Sequence, residues 1–308
     1  MPAEPVPFDK KMIVGGSGTL AAAANVIMQL ARPGVGHGVV ESRVESGRLD
    51  RHPVKRARTT FTYIAVALLG SPEEKAAYRR AVNRQHARVR STASSPVSYS
   101  AFDVDLQLWV AACLFRGLED SYRAFIGPLT PAMRQRMYTA SATMGTTLQV
   151  PAKAWPADIE AFDAYWEEQL KKISIDEPVR EYLHDLAGLR FLPRPVSLLF
   201  GGFNRFVTTG FLPPPFREQM RLPWTERDQR QFDRGRPGAD PRPAARAAPF
   251  PAHRDAVGPA LAPAHRPPAG LIGRGVPRRH HPFGKNLLSE RIMASPPWQA
   301  PSCGALQV

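Results

Sequence analysis

From Lys55 to Arg234 one helix-start signal follows another, with no convincing alternating strand pattern between them, which restricts the body of this chain to an all-α fold. Ser71 stands as an N-cap before Pro72. Glu73 and Glu74 sit at the positive end of the helix dipole, and Ser71 and Glu74 have capping-box spacing. Asp103 opens a helix to about Phe125 that Gly127-Pro128 stops, and Thr130-Pro131 opens another through about Met144. Asp158 starts a helix with Ile159, Phe162, Tyr165, Trp166 and Leu170 on one side; Asp176 starts one with Val179, Tyr182, Leu183 and Leu186 inward. Lys55 to Leu69 reads as a helix ending at Gly70, Ser71 to Arg90 as the next, and Thr19 to Ala31 as an earlier one. The stretch Pro193 to Pro215, rich in Gly, Pro and Phe, reads as irregular.

The chain divides near Arg234. Residues 1–11 form a lead, residues 12–234 a multi-helix globular domain, and residues 235–308 a Pro/Arg/Ala-rich tail holding fourteen of the 32 prolines. The tail has ten Lys/Arg against three Asp/Glu, an excess of seven, which is half of the net charge of +14. Such a segment cannot bury enough apolar surface to offset its ordering entropy, so disorder is expected. Thr225 caps a run, Glu226 to Arg234, that Gly235-Arg236-Pro237 cuts off. The tail reads either as a disordered basic extension or as a frameshifted translation of a GC-rich gene. The charge raises nucleic acid as a partner, but no recognition motif accompanies it, and no specific nucleic acid is expected. Cys113 and Cys303 make neither a disulfide framework nor a zinc site. No basic, apolar leader follows Met1, and the longest apolar runs fall short of the roughly twenty residues a bilayer span needs, so a soluble cytoplasmic protein without a transmembrane segment is expected.

Two constellations carry chemistry. Tyr78, Val82, His86 and Val89 share one face of a helix whose other faces are crowded with Arg and Lys, which points the His86 imidazole inward. It is either a core histidine bonded to a neighbour or a ligand to a metal or haem iron, since neutral imidazole is the commonest metal ligand. Arg56 and Thr60, spaced i,i+4, share a helix face: either a solvated surface or, beside an iron site, groups able to hold oxygen and its developing negative charge. Gly16, Gly18 and Ala21, with Glu41 some twenty residues on, match a dinucleotide fingerprint. The βα units that motif requires do not follow, so the glycines are read as a tight turn before a helix. His37, in a Gly-rich turn, His52, before a proline, and His184, in a polar segment of a helix, are read as solvent-facing or as local hydrogen-bond partners. No nucleophile elbow, Walker loop or HExxH occurs.

Five segments in order resemble the catalytic domain shared by mpaB-type oxygenases and rubber oxygenases, the latex-clearing proteins. Val26 to Pro33 with Gly38-Val39 beyond is similar to an LQLAxPxVAxGV run, and Arg56 to Thr60 leading to Gly70-Ser71 is similar to an RxxxT helix. His86 to Arg90 is similar to HxxVRG, Tyr99 to Val110 to YxAxDPxLxxWV, and Tyr122 to Leu129 to YxxFxGPL. The resemblance covers roughly residues 12–234.

It implies a mostly helical domain with haem b in the latex-clearing members. His86 would be the proximal ligand to the iron, Arg56 and Thr60 would line the distal pocket, and Glu41 would be the nearest counterpart of a catalytic base, at approximate spacing. It further implies O2 and a small apolar substrate as partners, with an electron donor unknown. Departures bear on this. Thr59 stands where latex-clearing members place a lysine as distal ligand, so a lysine-capped haem is not expected; Ala111 replaces a frequent histidine; and helices expected after Trp224 are missing. The alternatives are a catalytically degenerate member of the family and a basic helical binding protein without cofactor.

Overall fold

A computed structural model describes residues 21–42, 44 and 51–235, all within the unit Met1–Ala239. The glycine-rich run before Ala21, the lead and the tail lie outside the described residues. The described residues form eleven α-helices: α1 (Ala22–Leu30), α2 (Pro33–Val40), α3 (Pro53–Leu69), α4 (Pro72–His86), α5 (Val104–Phe125), α6 (Pro131–Thr146), α7 (Ile159–Leu170), α8 (Glu177–Ala187), α9 (Arg194–Phe211), α10 (Pro214–Gln219) and α11 (Glu226–Arg234). Among the described residues the only β pairing is an isolated bridge between Arg90 and Ser100.

The caps read from the sequence are formed. Ser71 and Glu74 close a reciprocal capping box on α4, and Thr225 with Asp228 does the same on α11. Asp103, Thr130, Asp158 and Asp176 each accept a backbone N–H from the first turn of the helix that follows. These bonds satisfy donors that would otherwise lack intrahelical partners.

Two expectations are corrected. Pro193 to Pro215 is largely regular: it contains α9, eighteen residues long. Its prolines sit at the start, where no N–H is missed. Its glycines serve packing, since a Cβ at Gly201 would run into the carbonyl oxygen of Gly188. Ser197 and Asn204 of α9 donate to the carbonyls of Gly188 and Ala187, 3.0 and 2.9 Å away, and seat the helix across the end of α8. The Gly-rich turn read around His37 is likewise a helix, α2, and a Cβ at Gly36 would lie 2.7 Å from the Leu30 carbonyl oxygen.

The core is built on α5. Trp109, Ala112, Cys113 and Phe115 have no exposed surface. Trp109 stacks on Trp166 of α7 at 5.1 Å, and its indole N–H donates to the Gln29 carbonyl at 3.0 Å. Phe115 meets Phe162 edge-on at 4.9 Å. Beside this aromatic layer lies a buried charge network invisible in the sequence. Glu119, with no exposed surface, accepts from Arg134 at 2.5 Å and Arg116 at 2.9 Å, and both arginines also bind Asp163. No described helix is long and apolar enough to cross a membrane.

Candidate functional site

α4 ends at His86, four residues earlier than the hydrophobic spacing predicts. The chain then turns through a strap, residues 87–102. It is pinned by Ser91 N–H to the Tyr99 carbonyl at 2.9 Å and Ala101 N–H to the Val89 carbonyl at 3.0 Å. The strap returns Phe102 to the histidine, whose ring it meets edge-on with centroids 6.2 Å apart. His86 is half-buried, and its Nδ1 is buried with no hydrogen-bond partner. Burial, reinforced by the charge on Arg56, pushes the imidazole pKa down to about 4. The ring is therefore neutral near pH 7 and keeps a nitrogen lone pair available to a metal.

Arg56 lies on α3, in the turn that follows Val54. It is exposed to water, yet desolvation by surrounding protein lowers its pKa, against the opposing influence of Tyr182 on α8 and Tyr78 on α4. Among the described residues Arg56 has neither hydrogen bond nor ion pair, so its five N–H donors are uncommitted. The Thr60 hydroxyl donates to the Arg56 carbonyl at 3.1 Å, and the Thr59 hydroxyl to that of Lys55 at 2.8 Å. Tyr78 holds this helix from α4 by donating to the Thr59 carbonyl at 2.9 Å.

The structure thus brings His86 and Arg56 under mutual electrostatic influence. Glu41 is engaged in a different set of contacts. It follows the last residue of α2 and accepts from Ser95 at 2.5 Å and Tyr99 at 2.9 Å, both on the strap. Its other oxygen meets His37 Nδ1 at 2.9 Å, and His37 Nε2 meets Asp176, the cap of α8, at 2.7 Å. Burial raises the Glu41 pKa, but the bonds from Ser95, Tyr99 and His37 outweigh it and leave the carboxyl below its ordinary value. His37 is not solvent-facing as one sequence reading had it: it is 4 % exposed and joined to a residue 139 positions away. The i,i+4 spacing of His37 and Glu41 was the available signal for that half of the chain of bonds; nothing local pointed to Asp176. His52 is exposed at the start of α3, and His184 is half-buried on α8, its pKa lowered by desolvation and then by Arg205.

The profile of the family described as ER-bound oxygenase mpaB/B'/rubber oxygenase, catalytic domain, matches residues 12–240. The chain belongs to that family. Membership in the mpaB/rubber oxygenase family supports a general oxygenase role for the helical domain; residues beyond 240 lie outside the match. The chain is also 54% identical, over 214 residues, to an uncharacterized protein of Mycobacterium bovis and to one of Mycobacterium tuberculosis, spanning 70% of this chain and 84% of each relative. No solved structure matches.

Proposed function

We propose that this member of the mpaB/rubber oxygenase family is a haem b-dependent oxygenase acting with O2 on a small apolar substrate, and that His86 would be the residue that holds the iron. One observation carries the reading: the imidazole of His86 has a buried nitrogen with no hydrogen-bond partner, and the charge of Arg56 helps to keep the ring neutral. A buried polar atom without a partner costs about 1–3 kcal/mol, and such atoms are few in folded proteins. The chemistry of a neutral imidazole with a free nitrogen suits an iron ligand, and that of a guanidinium suits an anionic partner.

When bound, haem b supplies the redox-active iron at which O2 chemistry becomes possible. The protein's own contribution is of three kinds. His86 supplies a lone pair, and the edge of Phe102 restricts the ring. Arg56 supplies fixed positive charge and donors where negative charge develops on oxygen. Thr60 has its proton on the Arg56 carbonyl, so it steadies the turn that carries Arg56 and offers its remaining lone pairs as acceptors. Thr59 makes the helix bond that a lysine at this position could not.

Reconstitution tests the reading. The full chain incubated with haemin should develop a Soret band that His86→Ala abolishes or shifts. A wild-type protein with no Soret band, or a band unchanged in His86→Ala, overturns it.

A further inference from the structure

Three side chains that the haem reading does not use are bonded to the strap that meets His86. Asp176, His37 and Glu41 form a continuous chain of bonds, 2.7 and 2.9 Å long, that joins the end of α2 to the start of α8. At one end, Glu41 takes bonds from Ser95 and Tyr99 of the strap, and the strap's far end sets Phe102 against His86. At the other end, Asp176 also accepts the Val179 N–H and so ties the clamp to the first turn of α8. The packing under the chain is close: a Cβ at Gly38 would touch both the Tyr99 ring and Val89, at 3.5 and 3.6 Å. We propose that Asp176, His37 and Glu41 act as a clamp that positions His86 through the strap, with Glu41 a positioning residue.

The hydrogen-bond inventory favours this role. Carboxylates only accept, so a His37 ring bonded to both donates from both nitrogens. Glu41 then has three donors on its two oxygens. Three of the roughly four acceptor sites of the carboxylate are thereby engaged in holding Ser95, Tyr99 and His37 in place. His37 is 4 % exposed, so the middle of the clamp is shielded from competing water.

The inference rests on the haem reading for its meaning, but its first test does not need haem. Amide exchange at Ser91 and Ala101, measured by NMR on the full chain, reports the strap directly. Glu41→Ala and His37→Ala should speed exchange at both amides by about tenfold, the scale of one lost bond to a charged group. Glu41→Gln should restore protection, because its amide can accept from Tyr99 and donate to a neutral His37. Tyr99→Phe, which removes one donor and keeps the ring, gives a smaller effect in a variant that still folds. With haem loaded, Glu41→Ala should release haem to a scavenger about tenfold faster than Glu41→Gln. Unchanged amide exchange in folded Glu41→Ala and Tyr99→Phe overturns the clamp. Equal haem release from the Ala and Gln variants overturns its link to His86. A wild type that binds no haem, with the exchange pattern as expected, sinks the oxygenase reading and leaves the strap clamp standing.

Discussion

The charge on Arg56 adds to burial in holding the His86 imidazole neutral, and the donors of Arg56 are bonded to nothing among the described residues. An unpaired guanidinium in that setting should favour an anion bound at the iron over a neutral ligand. Arg56→Met should therefore weaken azide binding to the ferric, haem-loaded protein by about tenfold or more, the worth of a hydrogen bond between charged partners. Haem content should not change. Azide titration followed in the visible spectrum decides it, and equal affinities in the two proteins would remove Arg56 from the pocket.

Glu119 offers a sharper contrast of energies. It has no exposed surface and is bonded by Arg134 and Arg116, which are about one-fifth exposed, whereas Arg123 is 39% exposed and lies 3.4 Å away. Removing the carboxylate leaves two largely buried cations to share Asp163 alone; removing Arg123 leaves Glu119 with both of its closer partners. Glu119→Ala should cost about 3–5 kcal/mol in a urea unfolding experiment. Arg123→Ala should cost about 0–1 kcal/mol. Similar losses for both would show that the network is solvated after all.

What was legible in the sequence was what local chemistry decides. Ser71, Asp103, Thr130, Asp158, Asp176 and Thr225 each bond backbone within three residues of themselves, so their helices could be placed from composition and spacing. The inward direction of His86 followed from helical periodicity in the same way. α2 and α9 were illegible because Gly and Pro mean opposite things in a turn and in a tightly packed helix. Only the neighbour, Leu30 for Gly36 or Gly188 for Gly201, distinguishes them. The early end of α4 depends on the Arg90–Ser100 bridge, and the His37–Asp176 bond on a fold that brings distant segments together. Tertiary pairing of that kind leaves no periodic trace.

Acid should weaken the fold through two carboxylates. Burial pushes Asp163 up, but bonds and charge from Arg134 and Arg116 more than offset it, and its folded pKa lies below the ordinary 3.8. Glu41 likewise lies below its ordinary 4.5, because its three donors outweigh burial. A folded pKa below the unfolded one means the unfolded chain takes up protons first. The stabilisation is whole above the ordinary values and disappears as pH falls through the folded ones. Unfolding midpoints should fall below about pH 5, and the fall should be shallower in Asp163→Asn and in Glu41→Gln than in the wild type. Parallel curves for wild type and both variants would exclude these groups as the source.

The surface of α9 predicts a separation of solubility from stability. Leu198 is 84% exposed, Leu199 73% and Phe203 59%, a contiguous apolar strip of the kind that binds hydrophobic dyes and promotes association. At the end of the same helix Leu212 is 1% exposed and packed in the core. Replacing Leu198 and Phe203 by Ser removes apolar surface from water without opening a cavity, so each change should move stability by no more than about 0.5 kcal/mol. Leu212→Ala opens a cavity and should cost about 2–5 kcal/mol. Dye binding and sedimentation should therefore respond to Leu198→Ser and Phe203→Ser while the melting temperature barely moves, and the reverse should hold for Leu212→Ala. A large loss of stability in the two serine variants would mean that this strip is covered by another part of the protein in solution, and the exposure on which the prediction stands would be wrong.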